Sequence, residues 1–200
     1  MPPSQFRKLT RCALIATIVA LVALGTVAMG IATAQDADHR TQSQNLFLQM
    51  AAVFQSPRCI NCHPRSDYPA QGDDRHRHLF NVSRGPDDHG APGLHCTTCH
   101  QSENQAASGV PGAPDWHLAP LRMAWDGYSP GELCRALLDP KRGGMKPEQF
   151  VDHFNTVFVV WAWAPGTDFH GVPRTVPPIS HEQFIAITKQ WVATGAACPK

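Results

Sequence analysis

No run of lysine or arginine occurs in this 200-residue chain, which argues against nucleic-acid binding. No two segments alternate as paired strands do, so a sheet-built domain is not expected. Between residues 64 and 120 there is little regular apolar patterning. An ordinary domain with so sparse a core would be marginal. No molybdopterin or flavin signature is present. Acidic residues are absent before Asp36, whereas Arg7, Lys8 and Arg11 all precede it.

That last asymmetry marks an export segment. The three basic residues are followed by an uncharged, mostly apolar run from Ala13 to Ile31. Ala32-Thr33-Ala34 then forms an A-x-A cleavage pattern. Residues 1–34 are read as a cleaved Sec-type signal peptide. The run is also nearly long enough to span a bilayer, so an uncleaved N-terminal anchor is the competing reading. Cys12 precedes the apolar run and is not a lipoprotein attachment site. Either way residues 35–200 face the periplasm or an equivalent oxidising space, and membrane association is expected only if the segment is uncleaved. Without the three basic residues of the signal, the remainder is slightly acidic.

What the chain does contain is two Cys-x-x-Cys-His segments, Cys59-Ile60-Asn61-Cys62-His63 and Cys96-Thr97-Thr98-Cys99-His100. This is the attachment signature of c-type haem. Two thiols three positions apart lie on one face of a helical turn and can add to the two vinyl groups of one porphyrin. The following histidine, His63 or His100, then supplies the proximal imidazole to iron. A four-cysteine zinc site or two disulfides would also use the cysteines, but both leave the two histidines as coincidence. Thioredoxin-like chemistry is disfavoured because neither pair sits in a βαβ pattern. The cofactors expected are therefore two covalently attached haem c groups. A Pro- and Gly-rich chain wrapped on covalent haems accounts for the sparse core, because the macrocycles take its place.

The sixth iron positions decide between an electron carrier and an open, reactive haem. The candidates are His76, His78, His89, His95, His117, His153, His170 and His181, with Met50, Met123 and Met145. His78 precedes Leu79-Phe80, and His117 lies between Trp116 and Leu118. Both settings suit a haem face, so these two are the expected distal ligands. Met123, beside Ala124-Trp125, is third, and His153, near Phe150 and Phe154, is fourth. Met50 is expected to be helix core.

Helices are expected over Ser43–Gln55, from a Ser129 capping box through Leu138, from Pro147 along the Phe150, Phe154, Val157, Phe158, Trp161 spacing, and from a Ser180 capping box to about Thr194. Cys134 and Cys198 are left to pair as a disulfide, as the compartment favours. Trp161, Trp163 and Trp191 read as ordinary core.

The stretches SPRCINCHP, HLFNVSRGPDDHG, CTTCHQ, GAPDWHLAP, Met123-Ala124-Trp125, WAWAPG and GAACP resemble the small exported di-haem c-type cytochromes of proteobacteria. Some of those are regarded as electron-accepting subunits beside molybdenum hydroxylases of the isoquinoline 1-oxidoreductase type. The resemblance runs from Cys59 to Pro199. It implies two covalent haems and electron transfer, with His78, His117 and Met123 in the best-matching segments. The expectation is a mostly α, loop-rich multi-haem cytochrome c, with haems forming the core. It carries single electrons between a dehydrogenase and a downstream acceptor, its partners being redox proteins. A small peroxidase or a haem-based ligand sensor with one open iron is the alternative; a non-catalytic carrier is favoured over an enzyme.

Overall fold

The computed structural model describes residues 35–200. The export segment read at 1–34 lies outside the described residues. The chain falls into two compact units, one ending at Thr41 and one running from Gln42 to Lys200. Residues 35–41 are helical. The second unit carries both Cys-x-x-Cys-His segments.

The second unit is helix-rich with long loops, as the capping signals and the lack of alternating segments imply. Helix α1 covers residues 42–54 of it. Its Leu46, Phe47, Met50, Val53 and Phe54 are buried and follow one helical face. They pack with Leu133 and Leu137 of α3 (Pro130–Leu138), Phe150 and Phe154 of α4 (Phe150–Phe154), and Phe184 and Trp191 of α6 (His181–Ala193). Phe54 lies at the centre of this cluster, its ring 5.6 Å from those of Phe154 and Phe184.

Both capping boxes form. Ser129 Oγ accepts from the Glu132 N–H while the Glu132 carboxylate accepts from the Ser129 N–H. Ser180 and Gln183 do the same at α6. Helix α6 ends with Thr194 as its cap and Gly195 at φ +94°, where glycine adopts the left-handed backbone without strain.

The Pro147 helix differs from expectation. It is divided into a 3-10 turn (Pro147–Gln149), α4, α5 (Val157–Val160) and a second 3-10 turn (Trp161–Trp163). The break falls at Asn155-Thr156, where Thr156 takes an extended backbone (φ −67°, ψ 147°) and starts a new helix. Asn155 Nδ2 donates back to the Val151 carbonyl at 2.7 Å. This competition for backbone acceptors is what makes short polar side chains poor helix continuers. The break turns Val157 outward, so the aromatic spacing does not form one face.

Two strand pairs are present that the sequence gives no sign of. They are β1 (Ala70–Gln71) with β2 (His76–Arg77), and β3 (Gly90–Ala91) with β4 (Leu94–His95), both antiparallel. Two residues are too few to alternate. A further short helix, α2 (Pro57–Ile60), follows α1 directly. Pro57 thus both ends α1 and opens α2, a position where its missing N–H costs nothing.

Cys134 and Cys198 form a disulfide, with Cα atoms 5.5 Å apart. It ties α3 to the segment after α6. That segment approaches so closely that a Cβ placed on Gly131 would lie 2.7 Å from the Lys200 carbonyl oxygen. Ser43 Oγ also accepts from the Ala197 N–H at 2.8 Å, joining α1 to the same place. Closing a loop of this length stabilises the fold by about 4 kcal/mol in the chain-entropy treatment. Replacing both cysteines with alanine is expected to lower the thermal midpoint by about 5–15 °C. An unchanged midpoint would mean that the bridge does not form in solution.

Candidate metal centres

Each Cys-x-x-Cys-His segment is one turn of helix. In the first, α2 leads into Cys62 N–H donating to the Cys59 carbonyl at 3.2 Å and His63 N–H to Ile60 at 3.2 Å. In the second, a 3-10 turn (Cys96–Thr98) brings Cys99 and His100 N–H groups onto the Cys96 carbonyl at 3.3 and 3.0 Å. Among the described residues these four cysteines are free thiols, in contrast to the bridged Cys134 and Cys198. Burial pushes the Cys59 thiol up to about 11 and the Cys62 thiol up to about 12, so both are neutral.

The two histidines share one arrangement. His63 Nδ1 donates to the Met123 carbonyl at 2.9 Å, and His100 Nδ1 donates to the Pro111 carbonyl at 2.7 Å. A carbonyl only accepts, so Nδ1 carries the proton in both rings. Nε2 is left as a lone-pair donor, the arrangement found in metal-binding imidazoles. Each ring is also clamped by an indole. His63 stacks on Trp125 (centroids 3.4 Å, 15°) and His100 on Trp116 (4.6 Å, 5°). Burial lowers both imidazole pKa values, that of His63 to about 3.

The first segment opens on a cleft of about 770 Å³, counting its open mouth. Cys59, Cys62 and His63 line it with Trp116, Phe158 and His153. His153 comes from α4 and is half-buried. Burial alone lowers its pKa, with no hydrogen bond or charge opposing it. At the second segment the nearest imidazole is His78, whose centroid is 5.9 Å from that of His100 at 71°. Trp116 belongs to both places, lining the cleft and stacking on His100.

The other sequence candidates fall as follows. Met123 lines the cleft, but its carbonyl accepts from His63 Nδ1, so its backbone stands on the side of that ring away from Nε2. His117 stacks on His89 (centroids 4.8 Å, 18°) and on Phe158 (5.2 Å, 17°), with the Asp115 carboxylate alongside. His76, His95 and His170 are exposed. His181 donates through Nε2 to the Phe154 carbonyl at 2.9 Å, which ties that nitrogen into the fold. Met50 is fully buried in α1, as expected. Trp191 is core, whereas Trp161 and Trp163 line the cleft.

Several residues that position these groups carry no motif. Arg84 is 5 % exposed and donates to Asp88, Ala119, Pro64 and Ser66. Asn104 accepts from Gly112 N–H at 3.0 Å and from Trp161 Nε1 at 2.9 Å, fixing the loop that presents the Pro111 carbonyl. Neither Arg84 nor Asn104 is marked in the sequence, because the burial and hydrogen bonds that single them out exist only in the fold.

No protein-family model, curated sequence or solved structure matches the chain. Among the described residues no helix is long and apolar enough to cross a membrane.

Proposed function

We propose that this chain is an exported di-haem c-type cytochrome, working in the periplasm as a carrier of single electrons. The observation that carries the reading is the pair of Nδ1-to-carbonyl hydrogen bonds, His63 to Met123 and His100 to Pro111. They leave Nε2 available in both rings that directly follow a free Cys-x-x-Cys pair. Two complete Cys-x-x-Cys-His motifs in one chain support the same reading.

The residues present fit two haems. Cys59 and Cys62 would hold one through thioethers, with His63 as its proximal ligand. Cys96, Cys99 and His100 would hold the other. The bound group supplies an iron that takes up and returns one electron. The chain's part is to fix tautomer and ring orientation. The Met123 and Pro111 carbonyls do so, and also raise the basicity of each ligand. Aromatic side chains lining the cleft keep water from the first centre. The region between 64 and 120 buries few apolar side chains of its own, Leu118 and Ala113 among them. Macrocycles serving as part of the core would supply what it lacks.

His78 would be the second ligand of the His100 centre, because its imidazole stands 5.9 Å, centroid to centroid, from that of His100 and its Nδ1 is tied to the Leu79 carbonyl, which leaves Nε2 free. His153 is assigned to the His63 centre, because it is the unpartnered imidazole in the same cleft. Met123 is assigned as a positioning residue rather than a ligand. Two closed centres favour an electron carrier over a peroxidase or gas sensor. The partners would be a dehydrogenase on one side and a respiratory acceptor on the other.

Visible and magnetic circular dichroism spectra of the exported, haem-loaded protein test the assignment. His78→Ala and His153→Ala are each expected to turn one of two low-spin haems high-spin and open it to cyanide. Met123→Leu is expected to leave both low-spin. A high-spin, cyanide-reactive iron in the unaltered protein would favour the open-site alternative instead.

A further inference from the structure

His89, Asp115 and His117 come from two separate loops, and neither the thioether cysteines nor the assigned axial pairs use them. Their ligand atoms lie within 4.8 Å of one another. His89 Nε2 is 3.5 Å from Asp115 Oδ1, and His117 Nδ1 is 3.6 Å from Asp115 Oδ2.

Both imidazoles have Nδ1 against a nearby backbone carbonyl. His89 Nδ1 donates to the carbonyl of Asp87 at 2.7 Å, and His117 Nδ1 donates to the carbonyl of Asp115. His89 is thereby left with Nε2, the atom that faces Asp115 Oδ1, whereas His117 faces Asp115 Oδ2 with the same Nδ1 that meets the Asp115 carbonyl, so coordination through that atom replaces the hydrogen bond. The rings lie nearly parallel, at 18°.

The loops themselves are held at some cost. Asp88 and Asp115 both adopt left-handed backbone, φ +67° and +58°. Non-glycine residues take up that conformation where surrounding structure enforces it, and functional sites are a common place for it. The enforcement is visible here. Leu118 N–H donates to the Asp88 carbonyl at 2.9 Å, and Arg84 bridges Asp88 Oδ1 and the Ala119 carbonyl at 2.6 and 2.5 Å. One buried guanidinium therefore fixes the two loops against each other, and with them the three side chains.

We propose that His89, Asp115 and His117 form a binding site for a divalent transition-metal ion of the zinc–copper class. Two imidazoles and one carboxylate suit zinc or copper and are a poor set for calcium or magnesium, which take oxygen ligands. On an ion with bonds of about 2 Å, tetrahedral ligand atoms stand about 3.4 Å apart. The present spread is wider, up to 4.8 Å, and the two stacked rings do not yet converge, so metal binding requires one imidazole to rotate out of the stack. His89 and His117 are half-buried and Asp115 is exposed, so solvent completes the coordination.

The test uses tag-free, haem-loaded, exported protein, stripped with a chelator and titrated calorimetrically with Zn²⁺, with metal content measured after dialysis. One zinc per chain is expected. His89→Ala and Asp115→Asn are each expected to weaken it by about tenfold or more, while His170→Ala leaves it unchanged. Haem spectra and circular dichroism matching the parent exclude misfolding as the cause. Absence of stoichiometric zinc binding would overturn the proposal, as would binding unaltered in both variants. His117→Ala separates this site from the haem assignment. Loss of zinc with both haems still low-spin supports the site, whereas conversion of a haem to high spin would place His117 on iron and overturn it.

Discussion

The guanidinium of Arg84 holds together the part of this protein that apolar packing does not. Between the two Cys-x-x-Cys-His segments the chain is mostly loop, with two strand pairs of two residues each. Arg84 reaches four acceptors in this region: the Asp88 carboxylate and the carbonyls of Ala119, Pro64 and Ser66. Pro64 and Ser66 follow the first motif, and Ala119 lies in the segment whose N–H binds the Cys62 carbonyl at 3.0 Å. Removing a buried charge's partners leaves it uncompensated at a cost of about 3–5 kcal/mol, so this network acts as a unit. The placing of the loops that carry His89 and His117 follows from it.

The remaining half of the architecture rests on different physics. Helices α1, α3, α4 and α6 share an aromatic core, and the disulfide with the Ser43 hydrogen bond secures its edge. That half presents α4 and the Trp161–Trp163 turn toward the cleft beside Cys59 and Cys62. The first centre is therefore built on a rigid apolar scaffold. The second, around Cys96 and Cys99, is built on loops, and Cys99 is exposed. The two copies of the motif thus sit in unlike surroundings, and the proposed haems would then be expected to differ in reduction potential.

How much of this was legible follows from what each element depends on. The capping boxes at Ser129 and Ser180 and the α1 face are local, and Cys134 and Cys198 stand outside the two motifs, so the sequence displays them. The break at Asn155-Thr156 was hidden because aromatic spacing continued across it while the backbone turned at two polar residues. The short strands were hidden because two residues have no period. The place of His153 beside Cys59, Cys62 and His63 was hidden because the cleft they share forms only when the helices pack. The Met123 and Pro111 acceptors are backbone atoms and leave no mark on the side-chain sequence. His117 shows the same limit from the other side: its apolar neighbours suggested a haem face, while its ring lies with His89 and Asp115.

The central claim is that Cys59, Cys62, Cys96 and Cys99 carry two haems through thioethers. Intact mass and a pyridine haemochrome assay on protein exported with the cytochrome c maturation system, after acid-acetone extraction, test it directly. Two haems per chain surviving extraction is the result the account predicts. A chain that emerges without haem, its four cysteines bound to zinc or joined as disulfides, would contradict it.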